Sequence, residues 1–522
     1  MTGATKPVLI VGAGPVGLMT ALALKFYRVD FRLFEEDASF SSDTKAGTIL
    51  TRTIEAFRRY GVDEAVLAQA LRVDEIGDIE RAGNKPRRSV LTHHLWEETR
   101  FPFVLNLPQH HLEPILAAHL VDGNEGSVST EHRLLGFSQN DDGVTARFQT
   151  PQGEVEVEGS HLIACDGGRS TVRGLLDIPV EGQSLDVRYM LVDVKVDLDV
   201  ANPRDYPYLA YFSDPREWMV LVRQPHCWRF LFPLAPDAAE ETPDGLEAKV
   251  RHFIGNVGSL EVLNTITYRV HHRIASQWRS GRVFLAGDAA HLITPMWALG
   301  LNTGVLDAIN LPWRLAWVLR GWADDSLLDG YEREQRPLAA HGSGEMAEAA
   351  RKLMGGETGG TRAMSGDDWA NAMTRAMLGV RLDTEGGSDW SIVRTGRTAL
   401  RVGDRVPDMK LFDGKGAAVH LHDLCDDSFV ALHFSDVRRR PSLPADNLPG
   451  LKSYVVSRWD APLDSGLRDR ALFDVGGRVQ ERFGCGENVV VLIRPDDHVA
   501  AILPIEDAAI GELYQRIVGR PR

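Results

Sequence analysis

The sequence predicts a mixed α/β chain: a nucleotide-binding βαβ domain, an antiparallel sheet inserted into it, and a separate C-terminal unit. Three observations carry this. The buried-strand run Val8-Leu9-Ile10-Val11 leads into Gly12-Ala13-Gly14-Pro15-Val16-Gly17 and then into an Ala- and Leu-rich helix. Strand-like runs alternate with Pro- and Asp-containing turns over roughly residues 180–278. At 522 residues the chain is also long for one domain, and the usual domain size suggests about three.

Taken in order, Pro7 to Val11 is a strand, Val16 to Phe26 a helix and Asp30 to Phe34 a second strand, the opening of a Rossmann-like fold. In Gly12–Gly17 the first glycine permits the tight turn, the second lets backbone amides approach a pyrophosphate, and the third lets the helix pack on the strand. Pro15 opens the helix, whose unpaired N–H groups and dipole favour phosphate. Glu35 follows Gly12 by twenty-three residues, close to the ~20 at which an acidic residue meets a ribose. A carboxylate there suits an unphosphorylated ribose, hence FAD or NAD rather than NADP. Leu112–Leu120 reads as a helix, and residues 131–163 as short strands ending before Asp166-Gly167. Tyr189–Val196, Tyr206–Phe212, Trp218–Arg223 and Trp228–Phe232 supply the inserted sheet. Arg282–Ala286 returns to buried-strand composition before Gly287-Asp288, and Ala308–Leu319 and Leu327–Gln335 read as helices. Gly355–Gly360 reads as a mobile loop. A third unit begins near Thr395, with strands at Phe429–Phe434, Ser453–Val456 and Asn488–Ile493. The expected boundaries are 1–179 and 279–394 for the nucleotide-binding domain, 180–278 for the sheet domain, and 395–522 for the C-terminal unit.

Composition removes several classes of function. The chain is 43% hydrophobic and 25% charged, ordinary for a globular protein, and its net charge of −15 comes without a basic stripe. A nucleic-acid partner and an anionic membrane surface are therefore not expected. No apolar stretch approaches bilayer length, and the N-terminus shows no signal-peptide pattern. Cys165, Cys227, Cys425 and Cys485 are far apart without C-x-x-C, so neither a metal site nor a disulfide framework is expected, and a cytoplasmic location is.

Each glycine-acid piece has a plainer reading alone: Asp166-Gly167 as a capped turn, Gly287-Asp288 as a helix N-cap, His291 as a packed histidine. Together, in this order, Gly12–Gly17, Glu35, Asp166-Gly167 and Gly287-Asp288 read as one flavin site.

On these motifs the chain resembles the single-component FAD-dependent aromatic hydroxylases, the family of para-hydroxybenzoate, phenol and polyketide hydroxylases. Asp166 to Arg173 matches its D-G-x-x-S-x-V-R pattern. Lys45-Ala46 with Arg52-Thr53-Ile54-Glu55, Gln109 with Leu112-Glu113, and Tyr331-Glu332 with Arg336-Pro337 are lesser matches. The resemblance spans residues 7–345, and the tail from Thr395 resembles the thioredoxin-like domain of the phenol and polyketide hydroxylase branch.

The resemblance implies FAD, with NADPH or NADH as co-substrate bound transiently, since only one G-x-G-x-x-G is present. It implies that Glu35 holds the adenosine ribose and Asp288 the ribityl chain, with Lys45, Arg52, Gln109, Asp166 and Pro295 belonging to the cofactor site. The helix entered at Gly300-Leu301-Asn302 would point its amides at the flavin pyrimidine edge. Two departures stand out. Trp297-Ala298 replaces the family's double glycine, and Gly47 stands where phenol hydroxylase places a catalytic aspartate. The phenol-deprotonating base therefore does not transfer.

The implied reaction is hydroxylation of a phenolic or related ring: NAD(P)H reduces FAD, O2 adds to it, and the hydroperoxide delivers oxygen. Tyr206, Tyr208, Tyr211 and His226 are candidates to meet the phenol, with Tyr211 first because its strand should cross the flavin face. Trp297 is expected either to narrow the substrate cavity or to pack in the core. The rival readings are a flavin reductase or dehydrogenase without oxygen insertion, and a flavin-binding homologue with altered catalysis. The C-terminal unit is expected to be structural or to form a homodimer.

Overall fold

A computed structural model describes residues 6–40, 47–80, 85–121, 127–198, 206–214, 218–239, 241–255, 257–355, 366–379, 381–382, 400–425, 427–435, 448–458, 468–486, 488–504 and 510–519. Its first layer is a six-stranded sheet centred on Val8–Val11, which pairs in parallel with Phe31–Phe34 on one side and His161–Ala164 on the other. Val283–Leu285 joins in parallel beyond His161–Ala164, so the chain does return to this sheet after its long excursion. Strands buried on both faces need unbroken apolar runs, and Val8–Val11 is buried at every position. Pro15–Phe26 and Leu299–Leu319 pack so closely that a Cβ at Gly304 would lie 2.6 Å from the Val16 side chain. The latter helix starts well before the expected Ala308 and runs through Pro312.

The second layer is an eight-stranded sheet built mainly from Val180–Lys195, Leu209–Ser213, Met219–Arg223, Trp228–Leu234 and Glu261–Ala275. It is wider than the 180–278 segment expected to form it. Leu209–Ser213 pairs in parallel with Glu75–Glu80, which continues antiparallel to Lys85–Leu91, and His291–Leu292 adds the opposite edge. The boundary at 179 therefore does not separate the two sheets. One face of this sheet, carrying Met190, Val192, Ala210, Phe212, Leu221, Phe230 and Phe232, is covered by the Pro243–Ile254 helix. The other face, out of phase by one residue, turns towards the nucleotide-binding layer.

The third layer is a seven-stranded sheet in residues 410–504. Phe429–Phe434 is an interior strand of it, parallel to the central Leu451–Ser457 and antiparallel to Val489–Ile493. The 394/395 boundary and residues 356–360 of the expected mobile loop fall outside the described residues. Ion pairs join this unit to the first. Arg52 contacts Asp497 at 3.0 Å, Arg482 contacts Glu98 at 2.7 Å, and Arg494 contacts Glu334 at 2.8 Å. Among the described residues no helix is long and apolar enough to cross a membrane, and no three His, Cys, Asp or Glu side chains are placed to hold a metal.

Candidate functional site

The glycine motif builds its corner of the site from backbone. Gly12 adopts φ +98°, and a Cβ there would lie 2.4 Å from the Cys165 carbonyl oxygen, so only glycine allows the chain to pass. Gly14 has nothing within 4 Å of its Cβ position, which leaves its face open. The helix that follows has no side-chain cap and carries Pro15 at its start, and the Leu299–Leu319 helix is likewise uncapped. Two helix N-termini with unpaired amides thus open into the same cavity, an arrangement that attracts negative charge. Glu35 Oε2 accepts the Ala13 amide at 2.7 Å, fixing the carboxylate beside the glycine turn.

Asp166 and Asp288 approach from the other two strands. Asp166 Oδ2 accepts the Val172 amide at 3.0 Å while its Oδ1 is buried without a partner, and burial pushes its carboxyl pKa up. Arg173 straps the two acidic turns together by donating to Gly168 O at 2.9 Å and Ala289 O at 2.8 Å. Asp288 is exposed and lines the cavity, and behind it Asp307 Oδ2 accepts the Gly287 amide at 2.8 Å.

This cavity, of about 510 Å³, lies between the glycine motif and the inner face of the eight-stranded sheet. Gly14, Pro15, Gln109, Asp288, Pro295, Gly300 and Leu301 line one wall. Alternate residues line the other: Leu209 and Tyr211, Val220 and Val222, Arg229 and Leu231, Tyr268 and Val270. Register sets these into rows, with Tyr211 across from Val220 and Val220 from Leu231, and with Val222 across from Arg229 and Arg229 from Asp193. The wall is mostly apolar, as suits a planar hydrophobic ligand. Burial raises the Tyr211 and Tyr268 phenol pKa values well above their usual range, so both are neutral hydroxyls and neither is a base at neutral pH.

Several expected site residues lie elsewhere. Arg52 is buried against Glu55, Asp497 Oδ2 and the Asp496 carbonyl, so its guanidinium is spent on the C-terminal unit rather than on the cavity. Asn302 turns away as well. Its Oδ1 accepts the Leu50 amide at 2.9 Å and Thr53 Oγ1 at 2.7 Å, and its Nδ2 donates to Thr48 O and Ala298 O. Trp297 does not narrow the cavity. It is 3% exposed in the main core, at φ +56°, and the left-handed Trp297-Ala298 pair presents Ala298 to the cavity instead. His226 is exposed in the turn between two strands, and Tyr206 packs on the far face of the sheet. Lys45 lies outside the described residues.

Gln224, Arg229 and Asp193 meet at the sheet side of the cavity without having been expected there from the sequence. Arg229 gives Nε and Nη2 to the two Asp193 oxygens at 2.7 and 2.9 Å, and its Nη1 is buried without a partner. Gln224 donates Nε2 to Gly47 O at 3.3 Å, and its Oε1 is also buried without a partner. The available signal was a charged residue inside each of two apolar runs, Leu191-Val192-Asp193-Val194 and Trp228-Arg229-Phe230.

Comparison with known proteins accounts for the cradle and the cavity together. Residues 5–342 match the family described as FAD binding domain. The tetracenomycin B2 monooxygenase-dioxygenase of Streptomyces olivaceus is 31% identical over 95% of this chain and 94% of its own length. The 3-(3-hydroxy-phenyl)propionate/3-hydroxycinnamic acid hydroxylase of Mycolicibacterium smegmatis is also 31% identical, but this chain spans only 58% of that relative. Aklavinone-11 hydroxylase, solved as a ternary complex with FAD and aklavinone, superposes over the whole of both chains with TM-score 0.82 at 26% identity. The open glycine cradle and the paired helix N-termini are what a flavin dinucleotide requires, and the chain belongs to the FAD-dependent aromatic hydroxylases.

Proposed function

We propose that this enzyme hydroxylates a polycyclic phenol of the aromatic polyketide type, using FAD, NAD(P)H and O2. The observation that carries the reading is the single cavity in which the glycine cradle faces an apolar sheet wall. Full-length likeness to a tetracenomycin B2 monooxygenase-dioxygenase and to aklavinone-11 hydroxylase supports the polycyclic class. In this reading Gly12, Gly14, Pro15 and Gly17 hold the pyrophosphate and Glu35 the adenosine ribose. Asp288 meets the ribityl chain, while Gln109, Pro295, Gly300 and Leu301 border the isoalloxazine. The cofactor supplies the reduction of O2 and oxygen transfer. The protein's own residues orient the ring and exclude water. Leu209, Val220, Val222 and Leu231 make the wall apolar, and Tyr211 offers a neutral hydroxyl to a substrate oxygen. The C-terminal unit, which lacks a C-x-x-C, serves as a thioredoxin-like scaffold; its parallel strands flanked by an antiparallel hairpin support that assignment.

The test is a panel of phenols and hydroxylated polycyclic aromatics with the FAD-loaded enzyme. The expected result is aromatic-stimulated NAD(P)H oxidation with a product heavier by one oxygen. Stimulated oxidation that yields only hydrogen peroxide and unchanged aromatic would instead establish a reductase.

A further inference from the structure

Two guanidinium side chains of the sheet line the cavity, Arg229 and Arg269; Arg269 is exposed, whereas Arg229 is buried in the wall. Arg229 is 4% exposed and pairs bidentately with Asp193, its partner across the antiparallel register. That pair is neutral as a whole, which is how a guanidinium is tolerated in an apolar wall. Two of its three nitrogens are used, and Nη1 is left buried without an acceptor. Gln224, wholly buried, stands next to it with Oε1 equally unmatched. The two converge on Gly47, where a Cβ would lie 2.4 Å from Gln224 Nε2 and 3.1 Å from Arg229 Nη1. A side-chain base at position 47 is therefore sterically excluded while Gln224 holds its place. A buried donor and a buried acceptor left unpaired in a binding cavity are each costly to the fold unless a ligand completes them.

We propose that Arg229 Nη1 receives a deprotonated phenolic oxygen, with Gln224 Oε1 accepting a neighbouring hydroxyl, so that the substrate is bound as its phenolate without a proton-accepting side chain. This rests on the function proposed above. The phenolic proton goes to bulk water as the ligand enters, and Asp193, Arg229 and the phenolate then form an anion–cation–anion row. A phenolate is a far better nucleophile than its phenol, so an enzyme that selects it gains reactivity by electrostatics alone. The ionisable groups that feel Arg229 do not compete for this oxygen. Asp193 is already paired, burial holds Tyr268 neutral and pushes Cys227 up to about 11, and burial together with His111 lowers His110. His271, with Nδ1 2.9 Å from Ser184 Oγ, and the exposed Arg269 also line the cavity, and they are the side chains against which the proposal has to be tested.

The probe is alizarin, a dihydroxyanthraquinone whose visible band moves beyond flavin absorption when it ionises. It is titrated against pH on the FAD-loaded enzyme without NAD(P)H, with para-nitrophenol as a second dye. The expected result is a bound-dye pKa at least about one unit below that of the free dye, equivalent to tenfold tighter binding of the anion. The shift should vanish in Arg229→Gln and remain in His271→Asn and in Arg269→Gln. Because Arg229→Gln strands Asp193, the Asp193→Asn, Arg229→Gln pair, which removes both charges, provides a second test and should also lose the shift. No bound anion with either dye, an unshifted wild-type titration, or a shift that survives loss of Arg229 or disappears only with His271 or Arg269 would each overturn the proposal. Product analysis separates the two readings. Hydroxylation with an unshifted dye sinks only the phenolate, whereas a shifted dye with no oxygenated product sinks only the proposed function.

Discussion

Asp307 and Gly287 are joined by a 2.8 Å hydrogen bond that sets the turn presenting Asp288. The same Asp307 oxygen lies 2.8 Å from His291 Nε2, both side chains are fully buried, and the imidazole stacks on Trp278 with centroids 5.2 Å apart. Gly287 itself sits at φ +59° with its Cβ position 2.9 Å from Val16, so the turn has little room to adjust. Asp307→Ala removes a charge-assisted bond worth about 1.5–3 kcal/mol and strands two polar groups in a dry core. FAD affinity should fall roughly ten- to a hundredfold, together with a lower apoprotein melting temperature. Asp288→Ala should also weaken FAD retention but leave the apoprotein's melting temperature unchanged, because Asp288 is exposed. Flavin fluorescence titration and thermal melts of the apoproteins check both. Equal melting losses in the two variants would show that the Asp288 side chain itself supports the fold, against this expectation.

Trp297 and Ala298 occupy left-handed backbone at φ +56° and +58°, a conformation that costs non-glycine residues about 1 kcal/mol each. Ala298→Gly should therefore stabilise the protein by roughly 0.4–1 kcal/mol. Trp297→Gly gains the same relief but loses an indole that is 3% exposed, and emptying such a site costs about 3–5 kcal/mol. The net expectation is a loss of about 2–4 kcal/mol with substrate range unchanged, since Ala298 rather than Trp297 faces the cavity. Denaturant unfolding and the phenol panel read the two effects separately. A wider substrate range in Trp297→Gly would return the indole to the cavity.

The cofactor end was legible because its requirements are local. Gly12, Gly14 and Asp288 reach the cavity end through backbone geometry or through a position one residue beyond a strand, and strand, turn and helix signals locate them. The sheet end was not. Asp193 and Arg229 are 36 residues apart and meet only through a register that no local pattern specifies. The Glu75–Glu80 and Lys85–Leu91 strands are charge-rich and lack clean alternation, and it is parallel pairing with Leu209–Ser213 that places the hairpin. Arg52 was misplaced for a related reason. Its partners Asp496 and Asp497 arrive from more than 440 residues downstream.

Those distant partners make the contact with the C-terminal unit a buried charge network. Arg405 donates Nε to Glu55 Oε2 at 3.0 Å and Nη2 to Glu98 O at 3.0 Å, while Arg52 reaches Glu55 at 3.1 Å. Burial alone would raise the Glu55 carboxyl pKa, but Arg405, His422 and Arg52 together hold it below its usual range. Arg405→Met should cost about 3–5 kcal/mol, because it removes one cation from a carboxylate that is already out of water. By contrast none of the four cysteines forms a disulfide, and Cys425→Ser with Cys485→Ser should leave turnover intact and insensitive to reductant. Urea unfolding tests the first expectation and coupled NAD(P)H oxidation the second. An Arg405→Met protein as stable as the parent would mean that the network contributes nothing net.

His161 gives the fold a pH dependence that can be isolated. It is 1% exposed between the central strand and Phe284, neither ring nitrogen has a hydrogen-bond partner, and burial, aided by Arg282, pushes its pKa down to about 4. The unfolded imidazole titrates near 6.5, as histidines ordinarily do. Between those values the unfolded chain binds a proton that the folded chain refuses. Stability is therefore complete above about pH 6.5 and declines as pH falls towards 4, by roughly 2 kcal/mol at pH 5. Glu334, which Arg314 and Arg494 hold down to about 2 against the raising effect of burial, loses its contribution only as pH falls below its unfolded value near 4.5. Measurements between pH 7.5 and 5 are thus largely free of it. His161→Phe keeps a ring in the same apolar slot and removes the proton site. The fall in unfolding free energy between pH 7.5 and 5 should then be smaller by about 2 kcal/mol in His161→Phe than in the parent. His433, in the C-terminal sheet, is also pushed down to about 4 by burial, and burial lowers His498 as well, so part of the slope should persist in His161→Phe. Identical slopes in His161→Phe and the parent would show that the folded imidazole takes up its proton as readily as the unfolded one.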